Sequence, residues 1–466
     1  MSQRKITVLV INDEPDAIDR RITHQLGVLA DAGYSVFFAK PLGKNDTETF
    51  VLNGAYTIIN YPSAYTSFSR NMFRILNFEQ TAPEPGSRSL LYFLGMFLRG
   101  LFHAPLMASM LRNRLPKLKH VLGYWFEAFV FLFLLRFDLL YAMVKHKFFA
   151  RRINEAKTRE SLEILGNFLK PDIVHGHDLP CMINAVKIAE AFNAKLVMDA
   201  HEIYAGQFTF DKSRYKEQLS IEKYVMGKID LLISVNSYCL NYLENQHGKV
   251  KQTAAISNAV LLPDGFQVQE GKLWHDKFDL PSETKLIVFQ GGINPLRSID
   301  ELVMSLGQLP EHVHLGFITY AKDVSYYSAL SKKLGVHHRI HYVLDIDWTE
   351  VLSWIKAADF GIIPYQVTSD NAFAASPNKM YEFAAAGVPI IATSNLPQVK
   401  AFVEEYQIGI TRPFSHAPSY AQGITAALKW VETEPQLQEN LNKAALANNY
   451  SDNAKTLLEA YERLLN

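Results

Sequence analysis

A short stretch in the second half of the chain carries the residue types needed to hold a diphosphate. It reads SPNKMYEFAAAGVPIIATS, residues 376–394, and predicts a helix over about 378–386, because proline precedes its first turn and glycine follows its last. The free amides and dipole at such a helix start bind phosphate groups. Lys379 adds a cation, and Glu382, one turn after Asn378, offers a carboxylate to ribose hydroxyls. Taken alone, Glu382 would be an ordinary solvated glutamate.

Three histidines form a second group of candidates. His175, His177 and His201 each come at or near the end of a predicted strand. Open α/β sheets place ligands at the carboxyl ends of their strands, so we expect this group to line a cleft. A single histidine is more often structural, and this alternative stays strongest for His175.

An aspartate pair, Asp345 and Asp347, has the spacing of a known metal-binding aspartate motif. It follows one predicted strand and comes directly before a predicted helix at Trp348. Asp347 is better explained as the helix N-cap, so we predict no metal at this pair.

The elements that position these groups alternate between strand and helix. The opening segment predicts a strand at 5–11, a helix at about 18–32, Gly33, and a strand at 35–39. The pattern continues with strands at 172–177, 195–201 and 230–236 and a helix at 184–192. After a linker at about 263–283, a second series has strands at 286–291, 313–319, 340–344, 360–365 and 388–394, then a polar loop at 366–376 and a helical tail at 436–466. This alternation predicts an α/β protein with parallel sheets in two domains.

Composition narrows the function classes. The 466 residues carry 47 basic and 47 acidic side chains, which removes the attraction that drives nonspecific nucleic-acid binding. The two cysteines, Cys181 and Cys239, offer neither a disulfide framework nor a zinc-ligand spacing, and the apolar run at 6–11 is too short for a secretory signal. We expect a cytoplasmic location. No Gly-x-Gly-x-x-Gly follows the first strand, which disfavours a nicotinamide-dependent oxidoreductase.

Residues 86–152 break the alternating pattern and read as a helical insertion. They are apolar and carry eleven basic side chains against two acidic ones, a net charge of +9. This asymmetry favours contact with an anionic membrane surface. A spanning helix would bury Glu127, Arg136 and Asp138, so a shallow interfacial attachment is the better prediction. The alternative is an apolar helical pair packed on the first domain.

The stretch SPNKMYEFAAAGVPIIATS, with LPQVKAFVEEYQIG after it, resembles the donor-site signature of the family-4 retaining glycosyltransferases, the glycosyl transferase group 1 type. The resemblance extends over most of the chain outside 86–152. It includes DAIDRRITHQLGVLADAGYSVFF, DIVHGHDLP, VMDAHEIY, AAISNAV, FQGGINPLRSIDELVMSL and AADFGIIPY.

This resemblance implies the GT-B architecture, two Rossmann-like domains that face each other across a cleft. It places an acceptor domain at 1–265, a nucleotide-sugar domain at 283–440, and a C-terminal helix at 441–466 that packs back toward the first domain. It further implies transfer of a sugar, with retained anomeric configuration, from a nucleotide-diphosphate donor to a lipid-linked or polysaccharide acceptor in surface glycan biosynthesis. The expected enzyme needs no metal and no cofactor, and the insertion would hold it on the inner face of the cell membrane.

The resemblance also assigns roles to individual residues. Glu382 would bind the ribose, while Gly291, Arg297 and the amides around Asn378 and Lys379 would hold the diphosphate. His201 would lie beside the transferred sugar near the acceptor. His177 and Asp178 would flank the same cleft on the acceptor side. Arg297 would stabilise the leaving diphosphate electrostatically, which makes it catalytic together with His201.

Two positions depart from the family pattern. Many members carry a second glutamate eight residues before the position of Glu382, where this chain has Ala374. Asp370, Asn371 and Asn378 could contact the sugar instead, and double displacement through that glutamate is excluded. The loop NDEPDAIDRR lacks the glycines that approach phosphates, so Arg21 would supply charge in their place. A nucleotide-sugar hydrolase or epimerase, or a non-catalytic partner of the same fold, remain alternatives.

Overall fold

The computed structural model describes residues 5–13, 19–41, 50–61, 165–208, 211–262, 272–294 and 297–466. Its strands form two sheets. The first contains β1 (Thr7–Ile11), β2 (Ser35–Pro41), β3 (Phe50–Asn53), β4 (Tyr56–Tyr61), β5 (Ile173–His177), β6 (Lys195–Ala200), β7 (Leu231–Ser234) and β8 (Gln252–Ala255). The second contains β9 (Lys285–Gln290), β10 (Val313–Thr319), β11 (Ile340–Leu344), β12 (Phe360–Ile363), β13 (Ile390–Thr393) and β14 (Gly409–Arg412).

The helices of the described residues flank these sheets. They are α1 (Arg20–Asp31), α2 (Asp178–Phe192), α3 (Lys212–Met226), α4 (Ser237–His247), α5 (Leu273–Phe278), α6 (Ile299–Ser305), α7 (Val324–Lys333), α8 (Trp348–Lys356), α9 (Asp370–Ala374), α10 (Asn378–Ala385), α11 (Pro397–Tyr406), α12 (Ala417–Trp430), α13 (Leu437–Ala447) and α14 (Tyr450–Leu465).

Strand order fixes where a ligand could bind. The first sheet runs β3-β4-β2-β1-β5-β6-β7-β8 and the second β11-β10-β9-β12-β13-β14. Neighbouring strands are parallel except β3 and β4. The chain changes direction across the sheet between β1 and β5, and again between β9 and β12. Such switch points open a crevice at the carboxyl ends of the strands, and the predicted α/β class with two Rossmann-like units is confirmed.

The opening strand β1 is continuously apolar from Val8 to Ile11 because both of its faces are buried. Leu9 and Ile11 face the core that contains α2, whereas Val8 and Val10 face the core that contains α1 and α14. A parallel strand covered by helices on both faces needs apolar side chains at every position. Helix α14 follows the second sheet in the chain yet packs on the first, where Tyr461 is fully buried.

The predicted linker at 263–283 is wrong in its second half. Residues 273–278 form α5, and Trp274 is completely buried in the core of the second domain. A Cβ at Gly316 on β10 would lie 2.8 Å from the Trp274 ring, so this strand has no side chain where the indole packs. The apolar side chains of this short segment pack it into the second domain, although its glycine and polar residues are typical of a linker.

Three further predictions of local structure need correction. Helix α2 begins at Asp178, six residues before the predicted start at 184. The predicted polar loop at 366–376 contains the short helix α9, which Ser369 caps by accepting from the amide of Ala372. The predicted tail at 436–466 is divided between α13 and α14. The hairpin of β3 and β4 was not predicted.

The predicted insertion at 86–152 lies outside the described residues. Within the part of the chain that the structure describes, no helix is both long and apolar enough to cross a bilayer.

Candidate functional site

Helix α10 begins at the carboxyl end of the second sheet, just after β12. Pro377 is its N-cap residue and provides no side-chain cap, and Asn378 opens the first turn. Gly387 follows the last turn with φ of 69°, in the left-handed region that glycine adopts without strain. The predicted helix over about 378–386 is therefore present. No N-cap side chain accepts from the amides of its first turn, which carry the positive end of the helix dipole.

Lys379 in the first turn of α10 is buried against aromatic rings. Its Nζ lies 4.6 Å from the centre of the Phe289 ring and 4.5 Å from that of Tyr365, and it donates to the Tyr365 hydroxyl. Burial, helped by the nearby guanidinium of Arg297, holds the pKa of Lys379 below its usual range. The chain therefore keeps an amine in a place where its charge is costly.

Arg297 and Gly291 complete a cluster with Lys379, which we call the cation pair site. The Arg297 guanidinium lies 5.3 Å from the Tyr365 ring centre, and its Nη1 donates to the carbonyl of Gly292 at 2.9 Å. Gly291 has φ of 105°, and a Cβ there would lie 3.3 Å from Arg297 Nη1 and 3.7 Å from Lys379 Nζ. The turn after β9 thus brings its backbone between two cations that come from separate segments.

Glu382 is buried on α10 and faces the other domain. Its Oε1 lies 3.1 Å from Nη1 of Arg20, at the start of α1. Its Oε2 is buried and has no hydrogen-bond partner among the described residues. Arg20 and Asn378 also line one small cavity between the domains. The structure therefore places Glu382 near the helix start, with one carboxylate oxygen still able to accept.

Arg21, expected at the donor, points instead into the first domain. Its Nη2 and Nε donate to Asp199 at 2.7 and 3.1 Å, and Nη1 donates to the carbonyl of Ile256. Only 5% of the residue is exposed. The prediction that Arg21 binds the donor is not supported, because its donors are used by a buried carboxylate. Arg20, one residue earlier, faces the second domain.

His201 follows β6 and contacts two of the predicted acceptor-side residues. Its Nε2 lies 3.0 Å from Nδ1 of His177, and its Nδ1 lies 3.4 Å from Oδ2 of Asp178. The His201 amide donates to Asp178 Oδ1 at 2.9 Å. Asp178 holds φ of 59°, uncommon outside glycine, and its burial raises the pKa of its carboxyl group. The structure therefore brings all three residues together.

Behind them, His175 is fully buried. Its Nδ1 lies 2.7 Å from the Tyr461 hydroxyl of α14, and its ring stacks on His177 with centres 4.5 Å apart. Burial lowers the pKa of His175 to about 4 and also holds the pKa of His177 well below its usual range. These two rings are neutral near pH 7. They support His201 from inside the sheet.

His175, His177 and Asp199 place possible metal-ligand atoms within 4.8 Å of one another. Asp199 already accepts from Arg21 and from Gln25 Nε2. The guanidinium of Arg21 thus balances the charge of Asp199 and lowers its pKa in spite of burial. Both oxygens of this carboxylate therefore already accept hydrogen bonds from a fixed cation.

Comparison with known proteins decides what the second domain is. The family model described as glycosyl transferases group 1 matches residues 271–447. The second domain is a group 1 glycosyl transferase domain. The match includes Gly291, Arg297, Asn378, Lys379 and Glu382.

Curated relatives of the chain are distant. A glycogen synthase of Mycobacterium tuberculosis is 22% identical over 284 residues, which are 59% of this chain and 64% of that protein. D-inositol 3-phosphate glycosyltransferase 2 of Catenulispora acidiphila is 22% identical over 52% of this chain and 58% of its own length. The chain thus spans about three fifths of each relative.

Solved structures share the whole two-domain fold. Sucrose-phosphate synthase from Thermosynechococcus elongatus has a TM-score of 0.64 at 14% identity and covers 99% of both chains. Anabaena Alr3699/HepE in complex with UDP-glucose has a TM-score of 0.60 at 10% identity, covering 98% of this chain and 100% of its own. At this identity the likeness shows the fold alone, and it confirms the predicted GT-B architecture.

Within the group 1 domain, the short helix α9 contacts the first domain. The side chain of Asn371 accepts from the amide of Ile203 at 3.0 Å and donates to Oε2 of Glu202 at 3.0 Å. Asp370 accepts from the Tyr242 hydroxyl at 2.8 Å. Two polar neighbours that were expected to be available to a sugar are therefore used for contacts between domains.

The aspartate pair of the group 1 domain has the structural role expected for it. Asp347 is the N-cap of α8, and its side chain accepts from the amide of Thr349 at 2.9 Å. Asp345 accepts from the amide of Ala321. The N-cap prediction is confirmed.

Sequence reasoning missed Arg20, Glu202 and Tyr365 at this site. Arg20 was hidden because the helix pattern does not tell which of two adjacent arginines points outward. Glu202 directly follows His201, and this adjacency was the one available signal. Tyr365 ends the strand segment FGIIPY, where its hydroxyl meets Lys379.

Proposed function

We propose that the chain is a retaining glycosyltransferase that moves a sugar from a nucleotide-diphosphate donor to a lipid-linked or polysaccharide acceptor in surface glycan biosynthesis. The cation pair site carries this proposal. Lys379 and Arg297 approach one glycine turn beside a helix start, and such an arrangement suits a diphosphate. The proposal includes attachment of the enzyme to the inner face of the cell membrane, which is supported by the net charge of +9 on residues 86–152.

Electrostatics explains why an anion fits here. Arg297 lowers the pKa of Lys379, so the two cations raise each other's free energy. A diphosphate between them would relieve this repulsion and stabilise the charged form of the buried amine. The same groups would stabilise the negative charge that grows on the leaving diphosphate, without requiring a metal ion. The related fold of Alr3699/HepE, solved in complex with UDP-glucose, is consistent with such a donor.

Glu382 completes the proposed donor site. Its buried Oε2 has no hydrogen-bond partner within the described chain. An unpartnered buried carboxylate oxygen is costly, and a ribose hydroxyl would satisfy it. Arg20 holds the other oxygen, so the carboxylate is already oriented.

The acceptor would lie near His201, whose side chain is 17% exposed. Ala374 provides no carboxylate for a covalent glycosyl intermediate. The acceptor oxygen would therefore attack on the face of the leaving group. Its bond to the anomeric carbon forms as the bond to the diphosphate oxygen breaks, and a diphosphate oxygen takes the acceptor proton. This route retains the configuration.

A direct test is product analysis with a panel of nucleotide-diphosphate sugars and a lipid-linked acceptor. We expect a glycosylated acceptor with the anomeric configuration of the donor, read by NMR. Glu382→Ala and Arg297→Ala should abolish turnover while circular dichroism shows a folded chain. The matched controls Glu405→Ala and Lys400→Ala, on the outer face of α11, should retain it.

Each rival function has its own outcome. Free sugar or epimerised donor in the absence of acceptor would identify a hydrolase or epimerase. Turnover that survives both site variants would show that the cation pair site is not the donor site. A chain that binds a nucleotide sugar and never turns it over would be a non-catalytic partner.

A further inference from the structure

Ala374 occupies the position where the family signature has a sugar-facing glutamate, and its surroundings are apolar. It is completely buried with Ile203, Val235 and Cys239 of the first domain. Its carbonyl accepts from Nδ2 of Asn236 at 2.9 Å. A carboxylate would be costly among these apolar side chains, and the alanine instead packs against the first domain.

A glycine in the first domain allows this close contact. A Cβ at Gly206 would lie 3.1 Å from the amide nitrogen of Asn371 and 3.4 Å from Cβ of Asp370. Helix α9 therefore rests directly on the turn Ala205–Phe208. Residues that precede this turn face the segment from which the glutamate is missing.

Glu202 is the carboxylate at that place. Its Oε2 accepts from Asn371 Nδ2 at 3.0 Å, and its Oε1 accepts from Nε2 of Gln207. Asn371 also accepts from the amide of Ile203 at 3.0 Å, so one side chain of the second domain orients the backbone and side chain of this segment. Glu202 directly follows His201, the proposed acceptor-side residue.

We propose that Glu202 supplies, from the first domain, the sugar-binding carboxylate that Ala374 lacks, and that Asn371 is its positioning residue. The inference rests on the proposed function. A carboxylate has about four acceptor positions, and the two contacts described leave others for sugar hydroxyls. Burial and the neighbouring Asp178 raise the pKa of Glu202, so hydroxyl donors would stabilise its ionised form. Because Glu202 is half-buried, a ligand in the cleft can reach it.

The test measures binding of the sugar separately from binding of the diphosphate. Calorimetry would determine the Kd of UDP-, GDP- and ADP-glucose and of the matching free diphosphates. For the nucleotide that binds most tightly, we expect Glu202→Gln to raise the Kd of the sugar nucleotide by about 10-fold. The Kd of the matching diphosphate should stay within about twofold, because only hydrogen bonds from the sugar to a charged acceptor are lost. Glu202→Asp keeps the charge and should recover part of the loss.

The positioning role of Asn371 has its own readout. Asn371→Ala should weaken the sugar nucleotide by several-fold in the unaltered chain and by less than about twofold in the Glu202→Gln background, because it acts through Glu202. Tyr242→Phe is the matched control, since it removes a different α9 hydrogen bond between the domains without touching Glu202. It should leave unchanged the ratio of the diphosphate Kd to the sugar-nucleotide Kd, which we call the sugar increment.

The outcomes separate this inference from the proposed function. Equal weakening of sugar nucleotide and diphosphate by Glu202→Gln, or no weakening of either, would overturn the role of Glu202 alone. A sugar increment that depends on Glu202 in a chain without turnover would uphold the role and overturn transfer. Absence of binding to every member of the panel would overturn both.

Discussion

The two sheets present opposite chemistry at their carboxyl ends. The second sheet offers cations, Lys379 and Arg297, held beside a glycine turn and a helix start. The first offers imidazoles and carboxylates, with His201 between His177 and Asp178 and a buried ion pair behind them. One face is suited to an anion and the other to hydroxyl groups. A ligand with a diphosphate at one end and a sugar at the other would match both.

The faces also differ in how they are built. The cation face comes from a few short stretches of one domain, which the group 1 family model spans. The histidine face is assembled from four separate segments, namely α1 with Arg21, β5 with the start of α2, the end of β6, and α14 with Tyr461. Substitutions in the cation face should therefore affect ligand binding, and substitutions in the histidine face should affect folding.

The largest effect is expected from Asp199→Asn. The substitution leaves the guanidinium of Arg21 buried without its partner, which should lower the free energy of unfolding by about 3–5 kcal/mol. Urea titration followed by circular dichroism measures it. Glu190→Gln, which breaks an exposed pair with Lys228, should cost less than about 1 kcal/mol. A similar small loss for Asp199→Asn would show that the pair is not structural.

A smaller effect concerns acid stability. The pKa of His175 is lowered to about 4 in the folded chain, so between pH 6.5 and 4 the unfolded chain binds a proton that the native chain does not. Stability must then fall as the pH drops through this window and level off below it, by up to about 3 kcal/mol for this one group. Urea midpoints from pH 7.5 to 4 would show the decline. His175→Gln should reduce its slope, and an unchanged slope would contradict the assignment.

The same contrast decides which features of the molecule can be predicted from the sequence. The strands and the helix start at Asn378 followed from local pattern, because each depends on neighbours in the chain. The grouping of Gly291 and Arg297 with Lys379, which are distant in sequence, followed from the family resemblance. The orientation of Arg21 in α1 did not follow from the sequence, since its partner Asp199 lies on β6, far away in the chain. Adjacent arginines at a helix start look alike until a tertiary partner distinguishes them.

The elements missed have similar causes. Residues 272–283 looked like linker because they are polar and short, but one buried tryptophan attaches them to the second core. Helix α9 was too short for a periodic pattern to show. Its role depends on Gly206, more than 160 residues away in the chain.

A third effect should distinguish the cation face from the histidine face. Lys379→Met removes a charge from the cation pair site and leaves an apolar chain between Phe289 and Tyr365. We expect diphosphate affinity to fall about 30-fold, or about 2 kcal/mol, with stability unchanged or higher because a buried amine is costly. Calorimetry gives the Kd, and Lys400→Met on α11 is the exposed control. Loss of stability without loss of affinity would mean that Lys379 serves packing.

The smallest effect tests whether the two faces hold each other without a ligand. Arg20 and Glu382 form the ion pair between them, with the arginine side chain 18% exposed. The Glu382 side chain is only 5% exposed, but truncation of Arg20 opens a path for water to reach the carboxylate, so Arg20→Ala should lower the free energy of unfolding by only about 1 kcal/mol. A double-mutant cycle with Glu382→Gln gives the coupling energy directly. A coupling of about 3 kcal/mol or more would mean that the pair is effectively buried, and a donor would then have to break it to reach Glu382. A small coupling leaves the carboxylate available, because Arg20 then orients Glu382 without competing strongly for it.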